Sequence, residues 1–197
     1  MNSLDVVKIS HSLPLIENNI NKYIKVINHL HLCDVTKSKD YQKMYNGFYR
    51  MRHRKQEHYE IYFNYLEANK KYKDINFVDV FTYIHKKTGR YEPSFSSNLL
   101  ATINHDMPVW DPVVLKNLSI KPPGRYKKDR LTATIQTYVK LLEWYGNYFR
   151  TQNAIEVLTI FNLVYPHYAE TITAIKKVDL ALLSLFKAKS KNSRKRQ

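Results

Sequence analysis

Four glycines in 197 residues limit what this chain can fold into. Sandwiches and barrels turn tightly about every ten residues, and such turns are usually marked by glycine. A chain this poor in glycine has to be built from longer elements joined by fewer turns. Apolar residues recur along most of it at three- and four-residue steps, the spacing of one helix face. Residues 13–32 place Leu15, Ile16, Ile20, Tyr23, Ile24, Ile27 and Leu30 on one such stripe. Asp40 is placed to cap a second helix carrying Tyr41, Met44, Tyr45 and Phe48. The segment "YRMRHRKQEHYEIYFNYLEANKK" reads as continuing helix. Shorter helices are expected over 77–87, with Gly89 just past the end, and over 95–103. Asp111-Pro112 is the signature of a helix start, with Asp as N-cap and Pro in the first helical position.

Two longer helices follow the Pro-Pro loop "SIKPPGRYKKDR". One covers 129–150, with Leu131, Ile135, Tyr138, Leu142, Tyr145 and Phe149 on one face. The next covers 153–165, with Ile155, Leu158, Phe161 and Tyr165. A last helix is expected over 169–186, after the break at Pro166. The expectation is an all-α protein: a single compact domain of eight or nine helices over 1–187, then a disordered basic tail, "AKSKNSRKRQ", over 188–197. An apolar share of 44% is enough for a core. The 16 tyrosines have a bland explanation, an AT-biased genome that also enriches Asn, Lys and Ile. The alternative is that Tyr packs its ring and presents its hydroxyl to a partner.

Lys and Arg outnumber Asp and Glu by 32 to 17, a formal net charge of +15. Cations in such excess favour a polyanionic partner, because phosphates release counterions when Lys or Arg neutralise them. Nucleic acid, double-stranded DNA first, is therefore the expected partner. Three clusters are candidate contacts. The first is Arg50 and Arg54 in "YRMRHRK", on one face if that segment is helical. Lys86, Lys87 and Arg90 form the second, and Arg125, Lys127 and Lys128 in "GRYKKDR" the third. No stretch approaches the ~20 apolar residues a membrane span needs, and the start carries no cleavage site. A membrane role is not expected, and the expected location is the cytoplasm. The single cysteine, Cys33, excludes a disulfide within the chain. With His29 and His31 it does not make a zinc set, so no metal and no other cofactor is expected. The nucleotide-binding, metalloprotease and nucleophile-elbow motifs are absent from the sequence.

The segment "EPSFSSNLLATINHDMPVWDPVVLKNL", residues 92–118, reads as a helix, a polar loop, and then Trp-Asp-Pro at a helix start. It resembles the helix-hairpin-helix base-excision DNA glycosylases, in which an Asp lies at a helix N-terminus shortly after the hairpin. The resemblance implies DNA repair chemistry with Asp111 as the catalytic carboxylate, stabilising a cationic sugar, and Trp110 lining the base pocket. "RYEPSFSS" has no glycine, and Tyr91 to Ser97 holds no nucleophilic lysine. A monofunctional or inactive enzyme is implied, without the amine-driven lyase step. The chain as a whole resembles a family of small bacterial proteins through "YNGFYRMRHR", "SFSSNLLATINHDMPVWDPVVLKNL" and "IKKVDLAL", a likeness that brings no activity with it. Two alternatives stay open. Asp111 is equally read as a helix cap and Trp110 as a core anchor. The protein itself is alternatively a non-enzymatic basic bundle of a mobile element or phage, binding RNA or a protein.

Overall fold

A computed structural model describes residues 3–194. The described residues form helices and connecting turns, with no strand among them. The order is α1 (Val6–Ser12), a 3-10 turn (Leu13–Ile16), α2 (Glu17–His29), α3 (Lys39–Tyr49), α4 (Gln56–Asn69), α5 (Phe77–Thr88) and α6 (Pro93–Ile103). Then come α7 (Pro112–Asn117), α8 (Arg130–Tyr148), α9 (Gln152–Val164), a 3-10 turn (Pro166–Tyr168) and α10 (Ala174–Arg194). The all-α expectation holds, and α1 is the one helix the apolar spacing did not suggest.

The described residues divide into two compact units. Unit 2 is the continuous segment 19–110, and unit 1 combines residues up to Asn18 with those from Asp111 onward. Of the expected tail over 188–197, the structure describes only 188–194. α10 stays helical through 188–194, and residues 195–197 lie outside the described residues.

Unit 2 is built on aromatic rings. Tyr23, Tyr41, Tyr45, Tyr62, Phe63 and Phe81 are almost fully buried. A buried hydroxyl costs stability unless it is hydrogen-bonded. Tyr45 and Tyr62 meet hydroxyl to hydroxyl at 2.9 Å, and Tyr62 donates on to the Phe95 carbonyl at 2.6 Å. Burial pushes both hydroxyls far above the usual tyrosine range, so they stay protonated donors. α5 opens on a capping box between Asn76 and Asp79 and closes on Gly89, whose left-handed backbone (φ 65°) suits glycine. Residues 89–92 then turn the chain into α6, which packs on α5.

The expected continuous helix across 49–71 is broken. α3 ends at Arg50, itself left-handed at φ 55°, and α4 begins only at Gln56. The Met51 amide donates back to the Asn46 carbonyl at 3.0 Å, and its side chain is buried. His53 is a second left-handed residue in this loop, at φ 56°. The cap of α3 is Ser38, not Asp40, which lies two residues further on in the first turn.

Unit 1 packs α1, the first 3-10 turn, α7 and α9 against α10. The Ser12 and Ser184 hydroxyls meet at 2.7 Å, and the Tyr165 hydroxyl donates to the Leu13 carbonyl at 2.7 Å. Asn153 holds Leu4 by two hydrogen bonds, at 2.7 and 3.0 Å. The buried face of α8 is rotated from the expected stripe: Tyr148 is buried while Leu142 is exposed. On α9 it is Val157 that is buried, while Ile155 faces out.

Candidate nucleic-acid interface

Asp111 is half-buried and sits just before α7 with extended backbone (φ −109°, ψ 134°). Its carboxylate accepts from the Val113 amide at 2.7 Å, and Pro112 fills the first helical position. This is the capping geometry that Asp-Pro favours. A cleft of about 400 Å³ in unit 1 is lined by Asp5, Asn117, Ser119 and Trp144, among others, and Asp111 is not one of its lining residues.

Behind α7 the interior of unit 1 is charged. Lys176 and Asp179, one turn apart on α10, are both buried. The Tyr145 hydroxyl donates to Asp179. Burial holds the Lys176 amine below its usual range, with the charges of Asp179 and then Asp111 opposing that shift. Burial and then Asp179 push the Tyr145 hydroxyl well up. The "IKKVDLAL" segment therefore builds the inside of unit 1.

Trp110, the last residue of unit 2, is a core residue. Its ring lies parallel to that of Phe77 at 6.4 Å, and its amide donates to the Ser97 hydroxyl at 2.7 Å. The sequence leaves Trp110 open between a core anchor and a pocket wall, and its ring lies in a core stack.

The basic residues of unit 2 divide into two kinds. Arg54 is structural: its Nη2 donates to Glu92 Oε1 at 3.0 Å, and its guanidinium lies 5.1 Å from the centre of the Phe95 ring. The Arg54 and Glu92 side chains are 21% and 12% exposed, so water screens the pair little. Arg90 Nε donates to the same Glu92 oxygen at 2.8 Å, from a more exposed position. Glu92 opens α6, yet its side chain makes no cap hydrogen bond. Its carboxylate instead ties the 50–55 loop to the 89–92 turn.

Further cations in the 50–55 loop and in the last turn of α5 stay accessible. Arg50, Arg52, Lys55, Lys86 and Lys87 are exposed, and among the described residues none of them has a carboxylate partner. Arg50 and Arg54 do not share a helix face, because both lie outside helices. Lys86 and Lys87 stand in the last turn of α5, where the helix dipole favours cations. Lys87 also lies 6.0 Å from the centre of the Tyr83 ring.

In unit 1, Arg125, Lys127 and Lys128 are all exposed in the loop before α8. The Lys127 amide donates to the Gly124 carbonyl at 3.2 Å, closing a tight turn. Unit 1 and unit 2 thus each present a basic patch.

No group of three or more His, Cys, Asp or Glu among the described residues could hold a metal ion. The Cys33 thiol donates to the His29 carbonyl at 3.6 Å, a local contact past the end of α2. No helix among them is long and apolar enough to cross a membrane. Comparison with known proteins gives no match: no family, no curated protein and no solved structure matches the chain.

Sequence reasoning missed Glu92 and Tyr126. Glu92 carried one signal, a lone acid between Arg90 and a helix-opening Pro in a basic stretch. Tyr126 stands inside "GRYKKDR", where the charged residues carry the stronger signal.

Proposed function

We propose that this protein binds nucleic acid, duplex DNA first, through the 50–55 loop and the α5–α6 turn of unit 2, with the loop before α8 as a separate contact. The Glu92 clamp carries this reading. A carboxylate mostly out of water that holds two arginines from different segments ties the 50–55 loop to the 89–92 turn, while five cations of that loop and of the end of α5 keep their charge for a ligand. Cations fixed on a rigid frame bind phosphates with less ordering cost than free side chains. The packed α5–α6 pair, with Gly89 in its turn, supports the helix-hairpin-helix-like part of the reading.

Base excision asks a second job of Asp111, whose carboxylate already caps α7. Duplexes carrying uracil, alkylated or oxidised bases, incubated with wild type and Asp111→Asn, decide it. Equal activity of the two rejects Asp111 as catalytic.

The binding itself is tested by titrating a duplex at increasing salt. Each phosphate neutralised contributes about 0.9 to the slope of log K against log salt. Wild type should bind tightly at low salt with a steep slope. Lys86→Glu with Lys87→Glu should flatten the slope and weaken binding. Absence of binding to duplex and single strands alike at low salt refutes the proposal.

A further inference from the structure

Half of the 16 tyrosines are buried, and two, Tyr72 and Tyr126, are exposed. Tyr126 is 92% exposed, the most exposed large hydrophobic side chain among the described residues. Coding bias explains how many tyrosines a chain carries, not why one of them is held fully out in water. A lone exposed aromatic ring gains nothing for folding.

Its setting is specific. Arg125 and Tyr126 occupy the two central positions of the turn closed by Lys127 N–H donating to the Gly124 carbonyl, so both stand at its tip. Pro122 and Pro123 precede the turn and restrict the backbone on that side. The Arg125 guanidinium lies 5.9 Å from the centre of the Tyr126 ring. Lys121, Lys127 and Lys128 flank the pair, all exposed and none ion-paired among the described residues.

A planar ring beside a planar guanidinium, ringed by cations, matches the chemistry of an unpaired nucleotide: a base to stack on and phosphates to neutralise. A duplex cannot use the ring, because its base faces are already stacked within the helix. Charge alone is enough for a duplex, and the ring is left over.

We infer that the 121–128 loop is a single-strand contact, in which Tyr126 and Arg125 stack on an unpaired base while Lys121, Lys127 and Lys128 hold its phosphates. The inference rests on the nucleic-acid reading above and adds the strandedness of the ligand at this loop.

The test measures full-chain affinity for a mixed-sequence DNA single strand and for the duplex of the same sequence. It compares wild type, Tyr126→Ala, Tyr126→Phe and Lys127→Ala/Lys128→Ala. Stacking of one base predicts that Tyr126→Ala loses single-strand affinity on the order of five- to a hundred-fold. Its duplex affinity should hold within about two-fold, and Tyr126→Phe should keep wild-type affinity for both. The lysine variant should lose on both ligands and show a shallower salt slope. Tyr126→Ala binding single strands like wild type, while duplex binding persists, overturns the inference and leaves the broader reading standing. Equal losses on both ligands also overturn it, since the ring is then a general contact. No binding of wild type to either ligand overturns both.

Discussion

Glu92→Gln separates charge from architecture. The substitution removes one negative charge from a chain already at +15. If net charge alone governed binding, the variant would bind nucleic acid more tightly. The structure points the other way. Glu92 accepts from Arg54 and Arg90 on one oxygen, and the Arg54–Glu92 pair is mostly out of water. A hydrogen bond to a charged group contributes about 1.5–3 kcal/mol, and an isolated buried charge costs more. The Arg90 bond is discounted to about 0.5 kcal/mol, because that side chain is half-exposed. Gln keeps one acceptor but loses the charge, and the Phe95 ring still faces Arg54. The expected loss is about 2 kcal/mol, or roughly 6 °C in thermal midpoint at this chain length. Urea unfolding measures the stability, and duplex binding at low salt measures the function. The variant should be less stable and bind more weakly, because the 50–55 loop loses its anchor. A variant as stable as wild type that binds more tightly refutes the reasoning: Glu92 would then be a passive surface acid.

Removing the α7 cap with Asp111→Ala should cost about 1 kcal/mol in urea unfolding, while Asp111→Asn stays within a few tenths, since Asn caps almost as well; equal stability of all three contradicts the capping role. His58 is buried, and neither ring nitrogen has a hydrogen-bond partner among the described residues. Burial is the main cause holding its pKa below 6.5; Glu92 opposes it, while Arg54 and Arg90 add to it. Below pH 6.5 the unfolded chain takes up a proton that the folded chain refuses, so stability should fall as pH drops through that value. His58→Phe should flatten the pH dependence of the urea midpoint, and an unchanged pH profile rejects the assignment. Gly89→Ala forces a side chain into left-handed backbone at φ 65° and should cost about 1 kcal/mol by the same assay.

Helices were legible in this sequence because their signals are local. Gly89 closing α5 and Asp111-Pro112 opening α7 can each be read from a few adjacent residues, and the structure keeps both. The break at 50–55 was not legible for the opposite reason. "YRMRHRKQ" is made of residues with good or tolerable helix propensity, and nothing in it demands a turn. The chain leaves the helix because Met51 is buried and Arg54 is drawn to Glu92, a partner 38 positions away. The same distance in sequence hid the division of the basic residues into structural and accessible ones. Arg54 and Arg50 look alike as letters and differ in what the fold places beside them. The sequence leaves Asp111 open between cap and chemistry and Trp110 between core anchor and pocket wall; the Asp111 carboxylate accepts from the Val113 amide of α7, and Trp110 stacks on Phe77. The rotated inner face of α8 shows a limit of the apolar stripe on a helix rich in Tyr and Thr. Thr134 and Thr137 are buried because their hydroxyls bond back to Arg130 and Ala133 carbonyls, at 2.7 Å each, and apolarity does not reveal that.

The discontinuity of unit 1 has a consequence for how the chain assembles on the ribosome. Unit 2 is one unbroken stretch, so its contacts are all available once residue 110 has been made. The opening segment of unit 1 emerges earlier, but its partners are Asn153, Tyr165 and Ser184, among the later residues to be synthesised. Residues 3–18 must therefore wait, unpaired, through the synthesis of more than half the chain. Their apolar side chains, Ile9, Leu13 and Ile16, are completely covered only in the finished fold. That interval is when the nascent protein most needs a chaperone.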